Sequence, residues 1–216
     1  MQKKKININC QKIFFDFDGV IVDSNKFKEK AITESIKELN LKKDYIEDAI
    51  SYFNTHAGVG RKRKLLKFFN INYTEKILEI YSKKCIKYFS QASPTLGLLN
   101  FIKALNKFHP SVKLYILSGG NLEEINCFLK SNNMENLFFK ILFDNFSKSQ
   151  HLINEEADKN DIFFGDSKGD LNTARKHSLC FILVKGFCSS KSKPEHSDEQ
   201  YAKISIENFS NILINK

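Results

Sequence analysis

The stretch Ile13-Phe14-Phe15-Asp16-Phe17-Asp18-Gly19-Val20 reads as a strand that ends in acid. Its apolar run shows no polar alternation, the mark of a parallel strand buried on both faces. At its carboxyl end the side-chain period of two puts Asp16 and Asp18 on one side and Phe17 on the other, and Gly19 permits a sharp exit from the sheet. Two converging carboxylates repel unless a cation compensates them, and hard oxygen ligands of this kind suit Mg²⁺. The same residues also admit a strand-terminal turn held by Asx hydrogen bonds.

Working outward, similar apolar runs occur at Val112–Leu117, Lys140–Phe143, Asp161–Phe164 and Phe181–Val184. Amphipathic stretches such as 98–108 and 121–132 lie between them, and this alternation predicts an α/β fold with a doubly wound parallel sheet. Ligands of such sheets bind beyond the carboxyl ends of the strands, which here carry Asp16 and Asp18, Ser118, Asp144 and Asp166. The interval 24–93 breaks the alternation, because it holds only helical patterns. Phe27, Ala31, Ile32, Ser35, Ile36 and Leu39 mark one face; Ile77, Ile80, Tyr81, Cys85, Tyr88 and Phe89 mark another. We therefore expect a core of residues 1–23 and 94–216 and a four-helix cap, 24–93, inserted after the first strand. Pro94 and Gly97 punctuate the return to the core, and Ser189–His196 reads as a polar loop before a short tail.

A chain of 216 residues suffices for one buried core and a modest accessory domain. Its net charge of +9 is spread along helical stretches, with Arg61-Lys62-Arg63-Lys64 as the compact exception, and no nucleic-acid-binding motif accompanies it. Five cysteines without a CxxC pair predict free thiols in a reducing compartment, so the expected location is cytoplasmic. The basic start leads into polar residues rather than an apolar signal core, and no run of about 18 apolar residues occurs. Neither nucleic acid nor membrane is expected as a partner.

A second acidic loop, Gly165-Asp166-Ser167-Lys168-Gly169-Asp170, again follows an apolar run. Asp170 can alternatively serve only as the N-cap of a helix through Thr173-Ala174-Arg175. Ser118-Gly119-Gly120 precedes Asn121 and Glu124, which have capping-box spacing. A hydroxyl and free amides at a helix start can cradle a phosphate, although Ser-Gly-Gly is also a common turn. Lys148 taken alone is one lysine among many.

Taken in order, Asp16-x-Asp18-Gly19-Val20, Ser118, Lys148 and Gly165-Asp166-x-x-x-Asp170 resemble the four motifs of the haloacid dehalogenase superfamily. The opening Asp16 to Ser24 is similar to that of its phosphoglycolate phosphatase and β-phosphoglucomutase branch, whose helical cap follows the first motif. The resemblance implies a Rossmann-like core and a Mg²⁺-dependent phosphatase acting on a small phosphorylated metabolite, a sugar phosphate or a phosphoglycolate-like acid, in a monomer or homodimer. It makes Asp16 the nucleophile, and Asp18 the acid/base whose backbone carbonyl also reaches the metal. Ser118, Gly119 and Lys148 would hold the phosphoryl group, Asp166 would ligate Mg²⁺, and Asp170 would orient a metal-bound water. Gly58-Val59-Gly60-Arg61 resembles the cap loop that reaches substrate in β-phosphoglucomutase-like members, which makes Arg61 the candidate specificity contact; a solvated helix start is the alternative.

Other activities remain open on the sequence. A phosphomutase would use the same aspartates, but β-phosphoglucomutases typically carry Glu-Asp where this chain has Gly165-Asp166. A dehalogenase is disfavoured by Asp18, and a phosphonoacetaldehyde hydrolase would need a cap lysine, for which Lys62 or Lys64 could serve. A phosphoacceptor binding domain of the response-regulator kind would be shorter and would lack the helical insertion. The histidines show no ligand spacing.

Overall fold

The computed structural model describes residues 3–40, 45–56, 59–188, 194 and 200–214. In chain order the strands are β1 (Lys4–Ile6), β2 (Lys12–Phe15), β3 (Lys113–Leu117), β4 (Lys140–Leu142), β5 (Ile162–Gly165), β6 (Cys180–Val184), β7 (Ile204–Ile206) and β8 (Ile212–Ile214). Six of them form one parallel sheet in the order β4-β3-β2-β5-β6-β7. The doubly wound α/β fold read from the sequence is therefore present. From β2 the chain winds outward through β3 and β4, then returns to the other side of β2 with β5. The direction of winding reverses between β2 and β5, and a crevice opens at their carboxyl ends.

Strand alternation divides the apolar residues between two layers. Phe14, Tyr115, Leu117, Phe163 and Phe181 pack on one face of the sheet. Phe15, Ile116, Phe164 and Ile182 pack on the other, where the Phe15 and Phe164 rings stack at 5.0 Å. Burial on both faces accounts for the unbroken apolar runs.

Three strands went unread in the sequence. β7 and β8 lie in what had looked like a short tail, and β1 pairs with β8 as a separate two-stranded parallel ribbon. Each has three residues, too few to show a period. Because β1 belongs to this ribbon, the helical insertion follows β2, the first strand of the six-stranded sheet and the second in chain order. The expected polar loop at 189–196 lies outside the described residues except for Pro194.

Between β2 and α5 (Leu98–Phe108) the chain forms α1 (Asn25–Lys37), α2 (Ile46–Thr55), α3 (Arg61–Leu66) and α4 (Ile71–Gln91). α1 buries Ala31, Ile32, Ser35 and Ile36, and α4 buries Thr74, Ile77, Tyr81, Cys85 and Phe89. The segment's entry and exit are stitched together: Val22 bridges Pro94, and Thr95 donates its amide to Ile21 at 2.9 Å and its hydroxyl to Val20 at 2.6 Å. Phe89 of α4 also packs on Phe17 and on Phe128 of α6 (Leu122–Ser131), so apolar contact adds to this double strand. The remaining helices are α7 (Lys148–Asn154) and α8 (Lys168–Lys176). No helix among the described residues is long and apolar enough to cross a membrane.

Candidate active site

At the crevice, β2 delivers Asp16 and β5 delivers Asp166, while Asp170 stands in the first turn of α8. One oxygen from each carboxylate lies within 4.8 Å of the others. All three residues are buried, at 7%, 5% and 2% exposure, which deprives them of the water that would otherwise screen their repulsion. Gly19 makes this approach possible. Its φ is +76°, and a Cβ there would sit 2.2 Å from Asp166 Oδ2.

Lys148, the first residue of α7, reaches into the cluster with its Nζ 2.8 Å from Asp16 Oδ1 and 2.6 Å from Asp170 Oδ1. Asp170 is not the N-cap of α8. Ser167 holds that position, and Asp170, at the third helical residue, closes a capping box by accepting the Ser167 amide at 3.2 Å and hydroxyl at 2.6 Å. Burial disfavours an ionised Asp170, but Lys148 and Ser167 outweigh it and hold the carboxyl below the usual range. Asp16 goes the other way: burial, then the charge of Asp170, push it up to about 8 against the pull of Lys148. Burial and the two neighbouring aspartates likewise raise Asp166 well above the carboxylate range.

Three carboxylates against one ammonium leave an excess of negative charge, which adds to burial in making Asp16 and Asp166 resist ionisation. A hard divalent cation would relieve it, and an all-oxygen donor set of this size fits Mg²⁺.

Asp18 lies at the edge of this cluster. Its carboxylate accepts the Lys28 ammonium at 2.6 Å on both oxygens and also accepts the Ser24 hydroxyl. Burial opposes ionisation, but Lys28 and Ser24 prevail and keep this acid below its ordinary range. Ser118 directly follows β3, is 1% exposed, and accepts the Gly120 amide on its hydroxyl at 2.9 Å. Gly119 and Gly120, together with Asp144, line the cleft.

Asn121 caps α6 by accepting the Glu123 and Glu124 amides. The return half of the expected capping box does not form, because the Glu124 carboxylate turns to Arg61. The Arg61 guanidinium places its two terminal nitrogens 2.6 and 2.8 Å from the two Glu124 oxygens, over the Tyr81 ring. Gly58 of the cap-loop motif lies outside the described residues. His56 stacks on Tyr52.

A cleft of about 1760 Å³ lies between the sheet edge and the inserted helices, lined by Asp16, Asp18, Lys28, Arg61, Lys64 and Asp166 among others. Lys28 and Ser167 carried no functional signal in the sequence, Glu124 read only as a helix-capping residue, and Lys64 only as one of a basic cluster and a candidate cap lysine. Lys28 sits four residues after Ser24, on the same side of a helix, but its lysine neighbours hide that relation.

A family model described as haloacid dehalogenase-like hydrolase matches residues 13–184. No curated protein matches the chain. Among solved structures, a haloacid dehalogenase-like family hydrolase from Streptococcus pneumoniae is 21% identical, with 93% of this chain and 95% of that one covered and a TM-score of 0.67. CbbY from Rhodobacter sphaeroides in complex with phosphate is 12% identical over 93% and 95% of the two chains, with a TM-score of 0.72. A predicted phosphoglycolate phosphatase from Haemophilus somnus is 14% identical at the same coverage and a TM-score of 0.72. At these identities the likeness is one of fold.

Proposed function

This chain belongs to the haloacid dehalogenase-like hydrolases, and from that membership we propose that it is a Mg²⁺-dependent phosphatase that hydrolyses a small phosphorylated metabolite through a phosphoryl group carried on Asp16. The supporting observation is the buried cluster of Asp16, Asp166 and Asp170 around the Lys148 ammonium, at the point where the winding of the sheet reverses.

In the first step a carboxylate oxygen of Asp16 bonds to phosphorus, the ester bond breaks, and protonated Asp18 gives its proton to the departing oxygen. In the second, Asp18, now ionised, takes a proton from water as that water attacks phosphorus, which releases phosphate and restores Asp16. Lys28 and Ser24 favour the ionised Asp18 that the second step requires; the first step draws on the minority protonated form, which the second step regenerates. Lys148 and the amide of Gly119 supply positive charge and a donor for the phosphoryl oxygens, while the Gly120 amide is held by the Ser118 hydroxyl. Asp166 and the Asp18 backbone carbonyl, with Asp16, would hold Mg²⁺, and Asp170 would orient a water beside it. Bound there, Mg²⁺ would neutralise charge on the phosphoryl oxygens and return Asp16 to its ionised, nucleophilic form.

Gly165 before Asp166 favours hydrolysis over phosphoryl return to an isomeric sugar phosphate. The test is a phosphate-release screen over phosphorylated metabolites with and without Mg²⁺, using Asp16→Asn as the blank. Mg²⁺-dependent release absent from the blank supports the reading, and an isomeric sugar phosphate in place of free phosphate would select the mutase.

A further inference from the structure

Several cations of the inserted segment line the cleft, and Lys28, Arg61 and Lys62 are already paired with carboxylates. Lys28 is bound to Asp18, and Arg61 is bound through both terminal nitrogens to Glu124. Arg61 cannot turn to a ligand without stranding Glu124, which is 1% exposed; removing one partner of such a pair leaves an uncompensated buried charge. Lys64, three residues on from Arg61 in α3, differs. Its ammonium donates to the Phe53 carbonyl at 2.9 Å and lies 4.9 Å from the centre of the Phe53 ring, and among the described residues no carboxylate stands within ion-pair distance. Burial first, then the charges of Arg61 and Lys28, push its pKa down to about 8. Two neighbouring cations crowd a half-buried ammonium that lines the same cleft as Asp18. Such an arrangement is unfavourable for the empty protein and favourable once an anion arrives.

We propose that Lys64, not Arg61, is the residue of the inserted helices that recognises the leaving group, and that it binds a negatively charged oxygen there, from a carboxylate or a second phosphate. The Arg61–Glu124 pair is then a strut between α3 and α6. The identity of the bound group as a leaving group rests on the phosphatase reading; the charge preference does not.

Calorimetric binding of non-hydrolysable phosphonates in the presence of Mg²⁺ tests this without turnover. The probes are phosphonoacetate, propane-1,3-bisphosphonate and the uncharged-tailed 2-hydroxyethylphosphonate. The wild-type protein should bind one of the two charged-tailed probes about tenfold more tightly than the hydroxyethyl probe, and which one identifies carboxylate or phosphate. Lys64→Met should erase that preference and Lys64→Arg should keep it. The double variant Arg61→Met/Glu124→Met, which strands no charge, should also keep it. A wild type that binds all three alike, a Lys64→Met variant that still discriminates, or a double variant that loses discrimination overturns the proposal. Failure of the phosphate-release screen beside intact charge discrimination would refute the phosphatase reading alone.

Discussion

Lys28 grips Asp18 with its ammonium 2.6 Å from both carboxylate oxygens, so a residue of the inserted helices holds the side chain proposed as acid and base. The Lys28 ammonium also lies 5.3 Å from the centre of the Phe89 ring, which limits its swing. If this contact positions Asp18 for water activation, Lys28→Met should lower kcat on an aryl phosphate by about tenfold or more, within the range of general acid–base effects. KM should change little, and Lys28→Arg should restore part of the rate. Unchanged kcat would reduce the contact to a surface ion pair.

Lys148 bridges Asp16 and Asp170 from the start of α7. Its replacement by Met removes both a phosphoryl contact and the cation between two buried acids. Turnover should fall by about 10²–10³-fold, the scale for one preorganised donor. Steady-state kinetics at saturating Mg²⁺ checks it, and an unaltered rate would return Lys148 to the many lysines of the surface.

The Arg61–Glu124 fork invites a double-mutant cycle in urea denaturation. Glu124→Met or Arg61→Met alone should destabilise the protein by about 3 kcal/mol, because each leaves a charge without its partner. The double variant should lose far less than the sum, and additive losses would show that the pair does not couple.

Lys64 predicts opposite effects on stability and recognition. The unfolded side chain keeps its proton up to about 10.5, whereas the folded one releases it near 8, so the unfolded state binds more protons between those values. Stability therefore rises with pH through that window, and the full penalty of burying the charge applies below pH 8. Lys64→Met should stabilise the protein at pH 7 by about 1 kcal/mol, a figure reduced for solvent screening. The gain should shrink as pH climbs toward 10.5. A Met variant less stable at neutral pH would contradict this.

What the sequence reveals and what it hides follow from range. Asp16, Asp18 and Asp166 were legible because each closes an apolar run, and a sheet brings the ends of its strands to one edge. Lys148 and Ser118 were legible only through the order of motifs. Arg61 and Glu124 are separated by 63 positions, and nothing local distinguishes Glu124 from a helix-capping glutamate until α3 is seen against α6. The same holds for Lys64, which no carboxylate pairs among the described residues.

The account turns on whether Asp16 carries the phosphoryl group. Acid quenching during turnover of a labelled phosphate ester, followed by peptide mapping, should find the label on the peptide containing Asp16, only when Mg²⁺ is present, and not in Asp16→Asn. Full phosphate release by Asp16→Asn, or label on any other residue, would contradict it.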